Sequence, residues 1–246
     1  KETVIRRCVY EKLYRDAGSA HGDGGSHVRK KSPSNLKNQK LLIMKPWNIY
    51  NELNTSITAT FRNSEFIIEA LGIHLQEFFN TKKRTPRTQL VKTILAELGH
   101  TPMKDKPPYK VYCNGLEKTI CQSMGGVYKN AEWLYDLIWY TESADYLLIT
   151  CPLVMECEWS NKRKEARRIP YSGIKYDFQK LVIANADLRL MIFLKKKTHN
   201  LEELDQYFED SINLCQNLPV GSKFLFIAFD QSIKGFHYTE KIKIGY

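Results

Sequence analysis

Residues 131–159 read AEWLYDLIWYTESADYLLITCPLVMECEW, and this stretch constrains the fold more than any other. It holds two apolar, strand-like runs separated by a short polar turn. One run carries Asp136 and the other carries Glu156 and Glu158. An unpaired carboxylate buried in such a run is costly, or takes up a proton instead. A fold that uses both runs as core strands must therefore supply counter-charge to three acids. A shared divalent cation is one economical way of doing so.

Side chains alternate faces along a strand. In LVMECEW, Leu153, Met155, Cys157 and Trp159 point one way, and Val154, Glu156 and Glu158 point the other. Two acids on one face, about 7 Å apart at two strand steps, can flank a single ion. Asp136 shares its face with Leu134 and Ile138, so pairing of the two strands brings it toward Glu156. The alternative is a half-buried sheet on which both glutamates face solvent.

The segments around these strands set the fold class. Residues 17–40, rich in Gly, Ser and Lys, read as a flexible linker; GDGGS there lacks the GK[ST] of a phosphate loop. Between 46 and 80, Ile49, Leu53, Ile57, Phe66, Ile67, Leu71, Leu75, Phe78 and Phe79 recur at threes and fours and predict helix. In the helix that follows, Thr88 reads as the N-cap, Leu90, Ile94, Leu95 and Leu98 as the apolar stripe, and Gly99 as the C-cap. YKVYC is a short strand.

Beyond 130 the pattern alternates. Strands are expected at 133–140, 146–158, 188–194 and 223–229, helices at 174–185 and 201–215, and a last strand in GFHYTEKIKIGY. Strands separated by amphipathic helices predict an α/β core with a central mixed sheet flanked by helices. The expected division is a mainly helical region at 1–85, then an α/β core at 86–246.

Charge and cysteine usage narrow the function. With 37 basic against 27 acidic residues the chain carries a formal charge of +10, which points to nucleic acid or another phosphate-bearing partner, with a soluble basic protein as the equal alternative on composition alone. The six cysteines form no CxxC pair and read as reduced thiols of a cytoplasmic protein. No run of 18 apolar residues is present, so no membrane span is expected. The first residues are too charged for a signal peptide.

Directly after the acidic strand, residues 162–168 (KRKEARR) hold five basic side chains and one acid. Lys162, Arg163, Lys164, Arg167 and Arg168 are either a phosphate grip beside the acids or a solvated charge run. In the next helix Ile174, Phe178, Leu181 and Val182 form the core stripe, with Asp177, Lys180 and Ala184 along its edge. Lys180 either reaches toward the sheet or pairs with Asp177 one turn away.

These residues resemble the restriction-endonuclease-like nuclease superfamily, whose signature is written PD-(D/E)xK. Asp136 stands at the first-acid position and Glu156-Cys157-Glu158 at the (D/E)xK position, twenty residues apart. The resemblance covers residues 89–230 and departs from the pattern twice. Tyr135 stands in place of the proline, and Glu158 in place of the signature lysine, a role for which Lys180 on the helix is the substitute. The fold it implies is a helix, three strands, a helix and a strand. The activity it implies is Mg²⁺-dependent hydrolysis of phosphodiester bonds in DNA, of the type II restriction or repair kind, with a homodimer cutting both strands. Asp136, Glu156 and the Cys157 carbonyl would hold the ion, and Glu158 or Lys180 would position or deprotonate water. A catalytically inactive nucleic-acid-binding protein on the same fold is the alternative, and a protein whose acids merely pair with nearby cations is a third.

Overall fold

A computed structural model describes residues 47–81, 83–102, 108–125, 128–130, 133–160, 163, 166 and 168–245. The 17–40 linker reading lies outside them. The strands are β1 Asn48–Tyr50, β2 Lys110–Cys113, β3 Tyr128–Lys129, β4 Leu137–Glu142, β5 Leu148–Glu158, β6 Leu188–Lys195, β7 Lys223–Asp230 and β8 Gly235–Ile242. The helices are α1 Arg62–Ile73, α2 Leu75–Asn80, α3 Arg84–His100, α4 Lys118–Ser123, α5 Ser172–Val182 and α6 Leu201–Leu214.

All eight strands join one mixed sheet in the order β1-β8-β7-β6-β5-β4-β2-β3. At its centre β5, β6 and β7 run parallel, with α5 and α6 as the intervening connections. Parallel strands buried on both faces read as near-continuous apolar runs, and LRLMIFLK and KFLFIAFD are such runs. β4 adds antiparallel to β5 and β2 antiparallel to β4, while β8 and β1 extend the other edge antiparallel. The expected α/β architecture, a mixed sheet flanked by helices, is what forms.

Two apolar clusters lie on opposite faces of the sheet. Leu153, Met155, Leu190, Ile192, Leu225 and Ile227 meet α1, α2 and α3 through Ile67, Leu71, Phe78, Val91 and Leu95. Val154, Met191, Phe193, Phe224 and Phe226 meet α5 and α6 through Ile174, Phe178, Leu181, Phe208 and Ile212. Among the described residues no helix is long and apolar enough to cross a membrane. The described cysteines, Cys113, Cys121, Cys151, Cys157 and Cys215, are free thiols.

Three expectations are corrected. The boundary at residue 85 falls inside the unit that spans 45–246: β1 pairs with β8, and α1 packs in the same cluster as α3. Residues 47–60 are not helical. Ile49 lies in β1, and Asn51 closes a turn by accepting from the Leu53 and Asn54 amides at 3.0 and 2.8 Å. Here local turn chemistry by asparagine outweighs an apolar spacing that resembles a helix. Finally, α3 begins at Arg84, one turn before the expected cap. Thr88 is interior to it, and its Oγ1 accepts the Trp159 indole N–H at 2.7 Å.

Candidate functional site

The β4–β5 register brings the acids together. Leu137 faces Met155 and Ile138 faces Val154, and the Asp136 amide donates to the Met155 carbonyl at 3.1 Å. One further step places Asp136 across from Glu156. Along β5 the expected alternation holds. Leu153, Met155, Cys157 and Trp159 join the cluster under α1–α3, while Glu156 and Glu158 project toward α5. The site lies at the C-terminal end of β5, beside parallel β6. Open α/β sheets place ligands at that end of their strands.

Glu156 is 1% exposed. Its Oε2 accepts from Lys180 Nζ at 2.7 Å, and its Oε1 is buried with no partner. Burial pushes its carboxyl up to about 9, reinforced by the charge of Asp136 and opposed by Lys180. Lys180 also lies 3.0 Å from Asp177 Oδ1, so both roles expected of it are realised at once. Burial disfavours the Lys180 ammonium, but Glu156 and Asp177 outweigh burial and hold its pKa above the ordinary lysine value. Asp177 is itself pushed up to about 6, chiefly by burial.

Asp136 is held from three directions. Its Oδ1 accepts from Lys92 Nζ at 2.9 Å. Its Oδ2 accepts from the Cys157 amide at 2.9 Å and from the Cys157 thiol at 3.4 Å. Burial raises that thiol well above the ordinary cysteine value, so it remains a proton donor. Lys92 was absent from the residues expected at the site. The signal for it was a lysine three and four positions before Leu95 and Ala96, inside the buried stripe of α3.

Glu158 shares its face with Glu156 but is tied elsewhere. Its Oε1 accepts from the Ser160 amide at 2.6 Å and hydroxyl at 2.8 Å, and Arg84 Nη2 lies 3.2 Å away. Gly173 opens α5 against it; a Cβ there would lie 2.9 Å from the Ser160 carbonyl oxygen. Arg84, the first residue of α3, is a second site neighbour absent from the residues expected at the site.

Of the expected phosphate-binding residues, Lys162, Lys164 and Arg167 lie outside the described residues. Arg163 places its guanidinium 3.7 Å from the centre of the Tyr176 ring, and its amide donates to Ser172 Oγ at 2.9 Å. Arg168 is exposed.

Among the described residues no three His, Cys, Asp or Glu side chains are disposed to hold a metal ion. Mg²⁺, however, is commonly held by only one or two carboxylates together with water and substrate phosphate. Asp136 and Glu156 fit that smaller requirement. They stand across a strand pair, and Glu156 Oε1 is a buried oxygen without a donor, the state a coordinating cation would relieve. Comparison of the chain with protein-family models, curated proteins and solved structures finds no match.

Proposed function

We propose that this protein is a Mg²⁺-dependent endonuclease that hydrolyses phosphodiester bonds in DNA, built on a restriction-endonuclease-like core. One observation carries the reading. Glu156 is a fully buried carboxyl with an unpartnered Oε1, placed across from Asp136 and bonded to a lysine from the following helix. Element order supports it: α3, β2, β4, β5, α5 and β6 give a helix, three strands, a helix and a strand, with β3 and α4 inserted after β2.

In this reading Asp136, Glu156 and the Cys157 carbonyl hold the ion. Bound there, Mg²⁺ would lower the pKa of a water and offset charge growing on the phosphate. Lys180 stays charged between Glu156 and Asp177, so it acts on the phosphate electrostatically and is no base. The role of proton acceptor falls to Glu158. Arg163 and Arg168 hold flanking phosphates, and the positive charge of the chain draws the polyanion in. A protein of this kind would work in the cytoplasm, and a two-fold homodimer would let it cut both strands.

The test is cleavage of supercoiled plasmid with Mg²⁺ by wild type, Asp136→Ala, Glu156→Ala and Lys180→Ala. Wild type should nick and linearise, EDTA should stop it, and both acid variants should lose at least about a hundredfold in rate. Equal nicking by all four proteins would mean that a contaminant cuts.

A second reading is binding without catalysis. Its support is that each acid of the site already has a cation: Lys92 on Asp136, Lys180 on Glu156 and Asp177, Arg84 on Glu158. No cleavage at any metal concentration, with affinity for DNA that falls steeply as salt rises, would select it.

A further inference from the structure

We infer that Lys92 is a positioning residue and the resident counter-ion of Asp136, and that it sets how tightly the site takes a divalent cation. The inference rests on the metallonuclease reading of Asp136 and Glu156. Lys92 leaves α3 on the side of Leu95 and Ala96, both fully buried, and is itself only 4% exposed. An ammonium is costly to place there unless its donors meet acceptors. Two of them do: the Asn114 carbonyl at 2.6 Å and Asp136 Oδ1 at 2.9 Å. The Asn114 amide in turn donates to the Asp136 carbonyl at 3.0 Å. Lys92, the turn after β2 and the head of β4 thus form a closed ring.

The other carboxylate oxygen of Asp136 takes the Cys157 amide and thiol. Asp136 is therefore oriented, with both oxygens engaged, before any ion arrives. A divalent ion at this carboxylate must compete with a positive charge whose stem is packed in the core and cannot swing out to solvent. Methionine has nearly the same length and shape without the charge. Lys92→Met should therefore lower the dissociation constant for a divalent ion about tenfold or more, because a fixed repulsion is gone. It should also slow cleavage at saturating metal, because Asp136 is no longer held in place. A lysine with a merely structural role gives a different pair of effects, lost stability and weaker binding.

The experiment is a Mn²⁺ titration of the full chain followed by water-proton relaxation, on wild type, Lys92→Met, Lys92→Arg and Glu156→Gln. Plasmid cleavage at saturating Mn²⁺ and thermal unfolding accompany it. Tighter binding with slower cleavage in Lys92→Met, and wild-type affinity restored in Lys92→Arg, is the expected result. Unchanged or weaker binding in a normally folded Lys92→Met overturns the role of Lys92 and leaves the metallonuclease reading standing. If wild type binds no better than Glu156→Gln, that reading fails and the inference fails with it. If Lys92→Met does not fold, Lys92→Gln carries the same expectation. If neither folds, the lysine is structural and the inference is wrong.

Discussion

Lys180 Nζ lies 2.7 Å from Glu156 Oε2, yet burial still raises the Glu156 carboxyl from an ordinary 4.5 to about 9. Between these two values the native protein holds a proton that the unfolded chain releases. The contribution of this group to stability therefore falls as pH rises through that window. Glu156→Gln, neutral at every pH, escapes the loss. Its stability relative to wild type should grow from pH 5 to pH 9 by roughly 5 kcal/mol, about 1.4 kcal/mol for each pH unit crossed. Urea unfolding at several pH values measures it, and a difference that does not change with pH rules the argument out.

His199 gives the opposite slope. Both its ring nitrogens are buried without partners, and the ring packs edge-on to Tyr171 at 5.1 Å. Burial, then Lys196 and Lys195, lower its pKa from 6.5 to about 4. The unfolded chain binds a proton here that the native state refuses, so stability is full above 6.5 and drains away as pH falls toward 4. His199→Phe keeps a ring and removes the titration. It should match wild type at pH 7 and exceed it at pH 4.5 by about 2 kcal/mol. Equal acid sensitivity in the two proteins would show that other groups govern it.

Much of the fold was legible because its pattern is carried by apolar residues. The stripe Ile174, Phe178, Leu181 and Val182 is buried on α5 as expected, and β6 and β7 end within one residue of their expected limits. The approach of Asp136 to Glu156 followed from strand alternation alone. What stayed hidden depends on single polar atoms. The amide side chain of Asn51 turns the chain where apolar spacing implied helix. Lys92 is buried although its residue type is ordinarily exposed; only its position on the apolar stripe of α3 marked it. Thr88 has a capping residue's chemistry, but it spends its hydroxyl on Arg84 and Trp159.

Gly99 illustrates the same limit and yields a third prediction. Read as a helix cap, it lies instead in the last turn of α3, where a Cβ would overlap the Trp139 indole. The close approach lets Trp139 Nε1 donate to the Leu95 carbonyl at 2.9 Å. Gly99→Ala would gain helix propensity but must push a fully buried tryptophan aside. Overpacking of that kind costs about 1–3 kcal/mol, so the variant should be destabilised. A variant as stable as wild type, or more so, would show that Trp139 can yield.

The Glu156–Lys180–Asp177 group provides the last prediction. Lys180→Met leaves two buried carboxyls without their shared cation, so each must be protonated or left unpaired. Breaking a buried pair from one side typically costs about 3–5 kcal/mol when no proton can be taken up. The raised pKa of Glu156 offers that proton, so the loss should be nearer 1–2 kcal/mol at pH 6 and should deepen as pH rises. Replacing the partner as well should recover part of it, because the double variant Glu156→Gln with Lys180→Met leaves no uncompensated charge at Glu156. The coupling energy from the four unfolding curves should be about 1 kcal/mol or more at pH 8 and shrink toward pH 5. Additive single-site losses at pH 8 would mean that the two groups do not sense one another despite their contact. The stability case for a lysine built to serve Glu156 would then be lost.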